Sequence, residues 1–165
     1  MNAISSEPLE LLTFRIAERG FGLPTAITRE IIRAVLPTPL PRTAPFIEGV
    51  INVRGEVMPL IDMRRRLGLP HKPIEHTDHL VICRRTASPL ALRVDRVLGL
   101  WRIARGEIAE LPPLPHAPGS CRVAAVEGEL VPILEDVDAL LTADATIVLE
   151  AALPEHRASI EKRTS

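Results

Sequence analysis

Hydrophobic and polar residues alternate in several short segments of the chain, which is the period typical of β-strands. Leu12, Phe14 and Ile16 alternate with polar neighbours, and the pattern resumes at Phe21 after a turn that contains Gly20. Alternation of this kind places every second side chain on the same face of a sheet. The segment therefore predicts a β-hairpin.

Three more pairs of apolar runs, each interrupted by a polar turn, predict three further hairpins. They span residues 49–53 with 57–61, 80–84 with 90–97, and 122–126 with 130–134. Sixteen prolines and nine glycines separate such runs along the chain, which favours short strands over long helices. One helical turn is predicted at Arg64–Leu67, with Asp62 as its cap, and a short helix over 137–141 is predicted to begin at Asp136.

Two connecting segments need separate interpretation. Ile27–Val35 has apolar residues at helical spacing, but its β-branched content suits a strand, so both assignments stay open. The segment Leu111–Pro118 contains four prolines and is predicted to be an extended connector. Residues beyond Thr142 lose the pattern, and the chain end is predicted to be a loose tail, helical or disordered.

An internal repeat relates two of the predicted hairpins. Residues 50–62 match residues 123–135 at a constant offset of 73 positions, with glycine at the turn and proline four residues after it in both copies. The match predicts two similar half-domains, each a small barrel. The alternative is that any two strand–glycine–strand units look alike. The copies differ at the turn, where Arg54 corresponds to Glu127.

Composition narrows the classes of function. Hydrophobic residues make up 46% of the 165 residues but aromatic residues only 2%, so the core must be built from aliphatic side chains. Base-stacking nucleic-acid modules need several exposed aromatic faces. The 20 basic and 21 acidic residues are mixed along the chain, so a basic field for phosphate binding is missing as well. We expect no nucleic-acid partner.

The sequence also bears on location. No apolar run approaches the roughly 18 residues of a membrane span. The first residues include Glu7 and Glu10 and lack the basic region of a signal peptide. We therefore expect a cytoplasmic chain with no direct membrane insertion.

Few residues suggest chemistry at a metal or a reactive centre. Cys83 lies in an apolar run and is interpreted as a buried hydrophobe, although a disulfide with Cys121 stays open. His76, Asp78 and His79 form a weak metal-binding pattern without a third strong ligand at suitable spacing. His71 is expected to be solvated. We expect no metal and no cofactor.

The central segment resembles a family signature. Residues 46–64 read FIEGVINVRGEVMPLIDMR, which is similar to the CheW-domain pattern F-I-x-G-V-x-N-L-R-G-x-x-x-P-V-x-D-L-R. Residues 94–97 (VDRV) resemble the family's V-D-x-V, and residues 27–31 (ITREI) resemble its V-x-E-I segment. The resemblance runs from about Leu11 to Leu141. Val53, Met63 and Arg93 depart from the usual residues.

The resemblance implies a fold. It implies a mainly β chain with two intertwined five-stranded SH3-like β-barrels, a hydrophobic core between them and a short C-terminal helix. Under this interpretation Ile27–Val35 is mostly strand. The domain boundaries would be residues 1–10 for an N-terminal segment, 11–142 for the CheW-like domain and 143–165 for a C-terminal tail.

The resemblance also implies partners. Such domains bind the CheW-like regulatory domain of a CheA-type histidine kinase and the cytoplasmic tip of a chemoreceptor, whose helix is expected near the groove between the barrels. The chain would then be a non-catalytic chemotaxis adaptor or, alternatively, a scaffold in a motility or differentiation pathway. Carried over by position, the partner-binding residues are Glu30, Gly49, Asn52, Arg54, Gly55, Val94, Asp95 and Val97.

Several side chains allow two interpretations within this family. Arg54 and Glu30 suit an ion pair with each other or with a partner surface, whereas Gly49, Gly55 and Asp95 are explained more simply by structure. Arg64–Arg66 either form a solvated turn or meet an acidic partner. Trp101 either fills the core between the barrels or anchors an interface.

An enzyme is the competing class of function. The sequence contains no G-x-S-x-G, Walker, G-x-G-x-x-G or H-E-x-x-H motif. A catalytic site would have to form from scattered groups, with the loop at His76–His79 as the remaining candidate. We expect no catalytic residues.

Overall fold

β-Strands account for more than half of the described residues. The computed structural model describes residues 7–111 and 121–141. Its strands are β1 (Leu9–Ile16), β2 (Arg19–Pro24), β3 (Thr28–Arg33), β4 (Ile47–Val53), β5 (Glu56–Asp62), β6 (His79–Cys83), β7 (Leu90–Val94), β8 (Arg96–Ile103), β9 (Ile108–Leu111), β10 (Cys121–Val126) and β11 (Glu129–Ile133). Helix α1 (Met63–Arg66) and 3₁₀ turns at Thr25–Ile27, Arg105–Glu107 and Val137–Leu140 complete it. The proline-rich connector and the C-terminal tail lie outside the described residues.

The strands form two sheets that interleave the two ends of the chain. One sheet has the order β3-β6-β7-β5-β4, and the other has the order β8-β1-β2-β11-β10-β9. The N-terminal strands β1 and β2 thus share a sheet with the C-terminal strands β8 to β11. This arrangement confirms the mainly β, intertwined architecture. The second sheet has six strands, where five were expected. The additional strand arises because a 3₁₀ turn separates β8 from β9 along the chain, and both strands belong to this sheet.

The five-stranded sheet curls so that its edges meet. Thr38, in the segment that follows β3, forms a β-bridge with Val50 of β4. The amide of Thr38 donates to the Val50 carbonyl at 2.8 Å, and the amide of Val50 donates to the Thr38 carbonyl at 2.9 Å. Since β3 and β4 are the outermost strands of this sheet, the bridge protects an edge that would otherwise be open.

The ambiguous segment is a strand. Residues 28–33 form β3, which pairs antiparallel with β6 and places Ile31 opposite Val81. Ile32 packs against a buried cluster, while Ile31 is exposed, so burial alternates along β3. Pairing with β6 therefore overrides the helical spacing.

The repeated hairpins have matching backbones. β4 pairs with β5 so that Val53 opposes Glu56, and β10 pairs with β11 so that Val126 opposes Glu129. Proline opposes valine three rungs from that pair in both hairpins. A short helical element follows each hairpin, capped by Asp62 in the first half and by Asp136, one residue past the equivalent position, in the second. These features confirm the repeat predicted from the sequence.

The largest apolar cluster lies between the two sheets, and we call it the inter-sheet core. Phe14 and Phe21 stack there with ring centroids 6.2 Å apart, and Cys83 is fully buried among the same residues. Burial raises the pKa of the Cys83 thiol to about 12, so the group behaves as a hydrophobe, as predicted. Trp101 does not fill the core between the barrels, because the indole packs on a separate cluster within the six-stranded sheet. Its role as an interface anchor stays a prediction.

Gly49 provides the first testable prediction. A Cβ atom built on Gly49 would lie 2.1 Å from the carbonyl oxygen of Thr38, and the residue has φ +146°. Gly49→Ala must therefore open the bridge that joins the sheet edges. We expect a loss of about 2–4 kcal/mol in the free energy of unfolding, measured by urea denaturation.

Gly106 is the matched control. A Cβ atom there would meet no described atom within 4 Å. Gly106→Ala should change the free energy of unfolding by no more than about 1 kcal/mol. Equal stability of the two variants would contradict the close approach at Gly49.

Candidate functional site

The tight turn between β4 and β5 displays the central arginine of the family signature. Arg54 and Gly55 have φ values of +50° and +86°, the combination of a type I′ hairpin turn. The Asn52 side chain accepts a hydrogen bond from the Gly55 amide at 2.8 Å and so fixes the turn. Non-glycine residues seldom adopt such a φ, and a fixed turn holds Arg54 at the hairpin tip.

Four charged side chains form a continuous cluster beside this turn. Arg54 forms an ion pair with Glu30 of β3, and Arg29 forms another with Glu56 of β5. Arg29 also lies 3.7 Å from Glu30, which joins the two pairs. The hydrogen bond to Glu56 raises the pKa of Arg29. The Arg54 side chain is 67% exposed even with this pair formed, so another molecule can reach it.

The equivalent turn of the second half keeps the backbone but reverses the charge. Glu127 and Gly128 have φ values of +50° and +82°, almost the same as those of Arg54 and Gly55. The turn geometry thus forms with either charge at its first position. Folding of the hairpin does not explain why this position in the first half is an arginine.

Asp95 connects three parts of the fold at the junction of β7 and β8. Its carboxylate accepts hydrogen bonds from the Ala17 amide at 2.7 Å and from the Arg64 guanidinium. Its own amide donates to the Arg15 carbonyl at 3.0 Å. Burial alone would raise the pKa of Asp95, but the bonds from Arg64 and Ala17 outweigh it and lower the pKa. Asp95 therefore holds the chain where it crosses between sheets.

The remaining positions carried over from the family are mostly internal. Val94 is buried in the inter-sheet core, and Val97 packs against it. Gly49 is buried against Thr38. The residues expected to bind partners therefore separate into two groups. Asn52, Arg54 and Gly55 are exposed at the β4–β5 turn with the half-buried Glu30 beside them, whereas Gly49, Val94, Asp95 and Val97 have contacts within the fold.

Each arginine of α1 is bonded within the chain, although Arg65 is also exposed, and contact with an acidic partner stays a prediction. Arg64 pairs with Asp95. Arg65 donates to the Pro45 carbonyl at 3.1 Å, and the Arg66 guanidinium lies 5.5 Å from the centre of the Phe46 ring. These side chains fasten α1 to the sheets.

A buried ion cluster was missed by sequence reasoning. Arg93 is 3% exposed and lies within 3.2 Å of carboxylate oxygens of Glu48, Asp62 and Asp78. It also donates to the Lys72 carbonyl at 2.9 Å. Burial alone would lower the pKa of Arg93, but its bond to Glu48 and the neighbouring negative charges raise it. The partners lie far from Arg93 in sequence, so no local sequence pattern predicts these ion pairs.

This cluster also bears on metal binding. Glu48, Asp62 and His71 bring one ligand atom each within 4.8 Å of one another, but Glu48 and Asp62 already bind Arg93, whose charge would repel a cation. His71 lies 3.1 Å from Asp62, so it is not simply solvated as expected. Asp78 bonds to Arg93 and does not form a ligand set with His76 and His79.

Comparison with known proteins identifies the family. A family profile described as CheW-like domain matches residues 10–145. The chain belongs to this family. The CheW-like domain is 30% identical over 131 residues to chemotaxis protein CheW of Rhizobium meliloti, covering 76% of this chain and 83% of that protein. It is also 38% identical over 104 residues to Protein FrzA of Myxococcus xanthus.

The second match is shorter, and a solved structure extends the comparison. The FrzA alignment covers 63% of this chain and 64% of that protein, slightly under two thirds of its length. The crystal structure of the scaffolding protein TtCheW from Thermoanaerobacter tengcongensis is similar with a TM-score of 0.74 and 26% identity. It covers 84% of this chain and 95% of the other. Within residues 7–111 and 121–141, none of the helices of the CheW-like domain is long and apolar enough to cross a bilayer.

Removal of Arg93 tests the buried cluster. Arg93→Met leaves Glu48, Asp62 and Asp78 buried without their shared positive charge. We expect a loss of about 3–5 kcal/mol in the free energy of unfolding at neutral pH, measured by chemical denaturation. Arg96→Met, at an exposed arginine, should stay within about 0.5 kcal/mol of the unsubstituted chain. If both variants lose the same small amount, the cluster does not hold the fold.

Asp95 predicts a pH dependence of stability. Its pKa is lower in the folded chain than the ordinary value of 3.8, so its stabilising contribution is complete above that value and disappears as the pH falls through the folded pKa. Asp95→Asn should therefore cost about 1–3 kcal/mol at pH 7 and progressively less below about pH 4.

The measurement is urea denaturation of both proteins from pH 7 to pH 3. Glu107→Gln is the control, because the Glu107 carboxylate is exposed and makes no bond to a described residue. It should leave the pH profile unchanged. A constant stability difference between Asp95→Asn and the unsubstituted chain at every pH would contradict the assignment.

Proposed function

We propose that this chain is a non-catalytic adaptor that couples a chemoreceptor, a methyl-accepting chemotaxis protein, to a CheA-type histidine kinase in the cytoplasm. Membership of the CheW-like family and similarity to a scaffolding protein over most of both chains support this role. The kinase partner would be its CheW-like regulatory domain, and the receptor partner its cytoplasmic tip. Signal passes as a shift between kinase states, which requires the adaptor to contact those states differently.

The exposed Arg54–Glu30 pair is the observation that carries the proposed binding site. The second half forms the same turn with Glu127 in place of Arg54, so the fold tolerates either charge there. An exposed ion pair contributes only about 0–1 kcal/mol to folding. The planar guanidinium of Arg54 suits recognition of a carboxylate or a backbone carbonyl on a partner. We therefore assign Arg54 and Glu30 to partner binding.

A second surface suits the receptor helix. β3 and β8 are outermost strands of their sheets, and both carry exposed apolar residues beside the inter-sheet core. Ile31 of β3 lies opposite Val81, and Leu100 of β8 lies opposite Leu12; both partners belong to the inter-sheet core. An amphipathic helix would bury its apolar face against such residues. We call Ile31, Val35 and Leu100 the edge-strand surface.

The described residues offer little support for catalysis. One open depression of about 570 Å³ is lined by Ala17, Glu18, Arg19, Arg64 and Leu69. Its Arg64 is already bonded to Asp95, and the lining contains one carboxylate, Glu18, but no serine, cysteine or histidine. Adaptor function therefore agrees with this part of the chain better than an enzyme does.

An alternative is a scaffold in another chemosensory pathway, for motility or differentiation. The chain is 38% identical to Protein FrzA, which is not named as a chemotaxis protein, and this match supports the alternative. Affinity purification of the tagged chain from its own cells distinguishes the two. Recovery of the kinase encoded with the chemotaxis genes supports the first, and recovery of a different histidine kinase supports the second.

Reversal of charge at the turn tests the proposed site. Arg54→Glu should change the free energy of unfolding by no more than about 1 kcal/mol. It should weaken binding to the kinase regulatory domain or to a receptor signalling fragment by about 2–5 kcal/mol, because a paired charge at the interface loses its partner. Isothermal titration calorimetry measures both affinities.

Arg42→Glu is the matched control, since Arg42 is exposed, also has a positive φ and bonds to no other described residue. It should bind both partners normally. The assignment fails if Arg54→Glu binds as tightly as Arg42→Glu, and Arg54 is structural if its variant unfolds.

A further inference from the structure

Two arginines lie directly opposite each other at one end of the β1–β8 ladder. Arg15 of β1 and Arg96 of β8 are register partners there. Like charges in directly opposed positions of an antiparallel pair destabilise a sheet. Folding therefore gains nothing from a second positive charge at this rung and does not explain why residue 96 is an arginine.

The two guanidinium groups differ in how they are bonded. Arg15 donates to the Glu18 carbonyl at 2.8 Å and lies 3.4 Å from the carboxylate of Glu129, whose side chain is 47% exposed. Arg96 is exposed and forms no hydrogen bond or ion pair with any residue in 7–111 or 121–141. Arg15 thus has one loose carboxylate partner, and Arg96 has none within the described chain.

The other charged residues at this end of the fold leave the charge of Arg96 in excess. Asp95 precedes it but is bonded to Arg64. Glu18 and Arg19 share a depression with Arg64, and both are exposed without a side-chain bond to a described residue. Their opposite charges balance each other. The surface around Asp95 therefore carries a net positive charge that belongs to Arg96.

This rung faces away from the surface assigned to the receptor helix. Phe14 and Val97 form the adjacent rung, and both contribute to the inter-sheet core. Because side chains alternate between the faces of a sheet, Arg15 and Arg96 point to the opposite side. Leu100 of the edge-strand surface pairs with a core residue and so lies on the core side. A receptor helix on that surface would leave Arg96 accessible.

We propose that Arg15 and Arg96 bind a carboxylate on the regulatory domain of the histidine kinase. This inference rests on the proposed function and assigns the kinase a surface separate from that of the receptor, which an adaptor needs to hold both proteins at once. A carboxylate has two oxygens and accepts a charge-assisted hydrogen bond from each guanidinium group. It replaces the loose contact between Arg15 and Glu129. The rung that is unfavourable in the free chain becomes favourable in the complex.

Arg96→Glu separates folding from binding. A carboxylate opposite Arg15 removes a repulsion, so the urea midpoint of this variant should equal or exceed that of the unsubstituted chain. Its dissociation constant for the purified kinase regulatory domain should rise about tenfold or more at 50 mM salt, and by much less at 500 mM salt. Arg42→Glu makes the same charge change at an exposed arginine between β3 and β4 and should bind within about twofold of the unsubstituted chain.

Glu129→Gln should act in the opposite direction. Loss of its charge frees Arg15 for the carboxylate of the kinase, so the regulatory domain should bind about twofold to fivefold more tightly at 50 mM salt. A gain in affinity cannot come from partial unfolding. Glu107→Gln removes the same charge from an exposed carboxylate on another element and should leave the affinity unchanged.

The outcomes distinguish this inference from the proposed function. If the unsubstituted chain does not bind the regulatory domain, the proposed function fails and the inference with it. If the chain binds and Arg96→Glu behaves like Arg42→Glu, the inference is overturned and the adaptor role stands. A lower urea midpoint for Arg96→Glu would mean that Arg96 supports the fold, which also overturns the inference. Loss of binding to a soluble receptor signalling fragment, with kinase binding intact, overturns the assignment to the kinase.

Discussion

Burial of two sheets against each other is the interaction on which the structure depends. The inter-sheet core takes side chains from strands at both ends of the chain, because β1 and β2 complete a sheet made otherwise of β8 to β11. Each sheet also has a smaller buried cluster of its own, and the inter-sheet core joins the two halves. The core has few aromatic residues, and close packing of aliphatic side chains provides its stability. The same core reaches the surface at β3 and β8, where the receptor helix is proposed to bind.

Charged residues in this fold fall into two groups with different roles. Arg93 and Asp95 are bonded inside, where they hold a loop and a strand crossing, and loss of either leaves a buried charge or amide without a partner. Arg54 and Arg96 are exposed. Exposed charges contribute little to folding, but they influence partner choice and association rate. In the proposed adaptor, one set of residues stabilises the fold and another set recognises partners. The interfaces can therefore change without loss of the core.

The sequence predicted the features that depend on local patterns. The hairpins follow from alternation and turn glycines, and Asp62 and Asp136 cap helical turns where their positions indicated. β3 stayed ambiguous because its apolar spacing suits a helix, and only pairing with β6 decides the outcome. In the sequence, Arg93 is only a departure from the family pattern. Its role in the ion cluster could not be predicted, because Glu48, Asp62 and Asp78 approach it only after folding. Of the expected binding residues, those at the β4–β5 turn are exposed, whereas Val94 is buried in the core and Gly49 is buried against the Thr38 backbone. A sequence motif does not distinguish residues of these two kinds.

A bridging experiment tests the central claim most directly, because an adaptor must hold two proteins at once. Membranes that contain a chemoreceptor are mixed with the purified histidine kinase, with and without this chain, and sedimented. The account predicts that the chain brings the kinase into the membrane pellet and that Arg54→Glu reduces the amount recovered. If the chain binds the receptor or the kinase but the two compete for it, so that the kinase never enters the pellet, the adaptor account is contradicted.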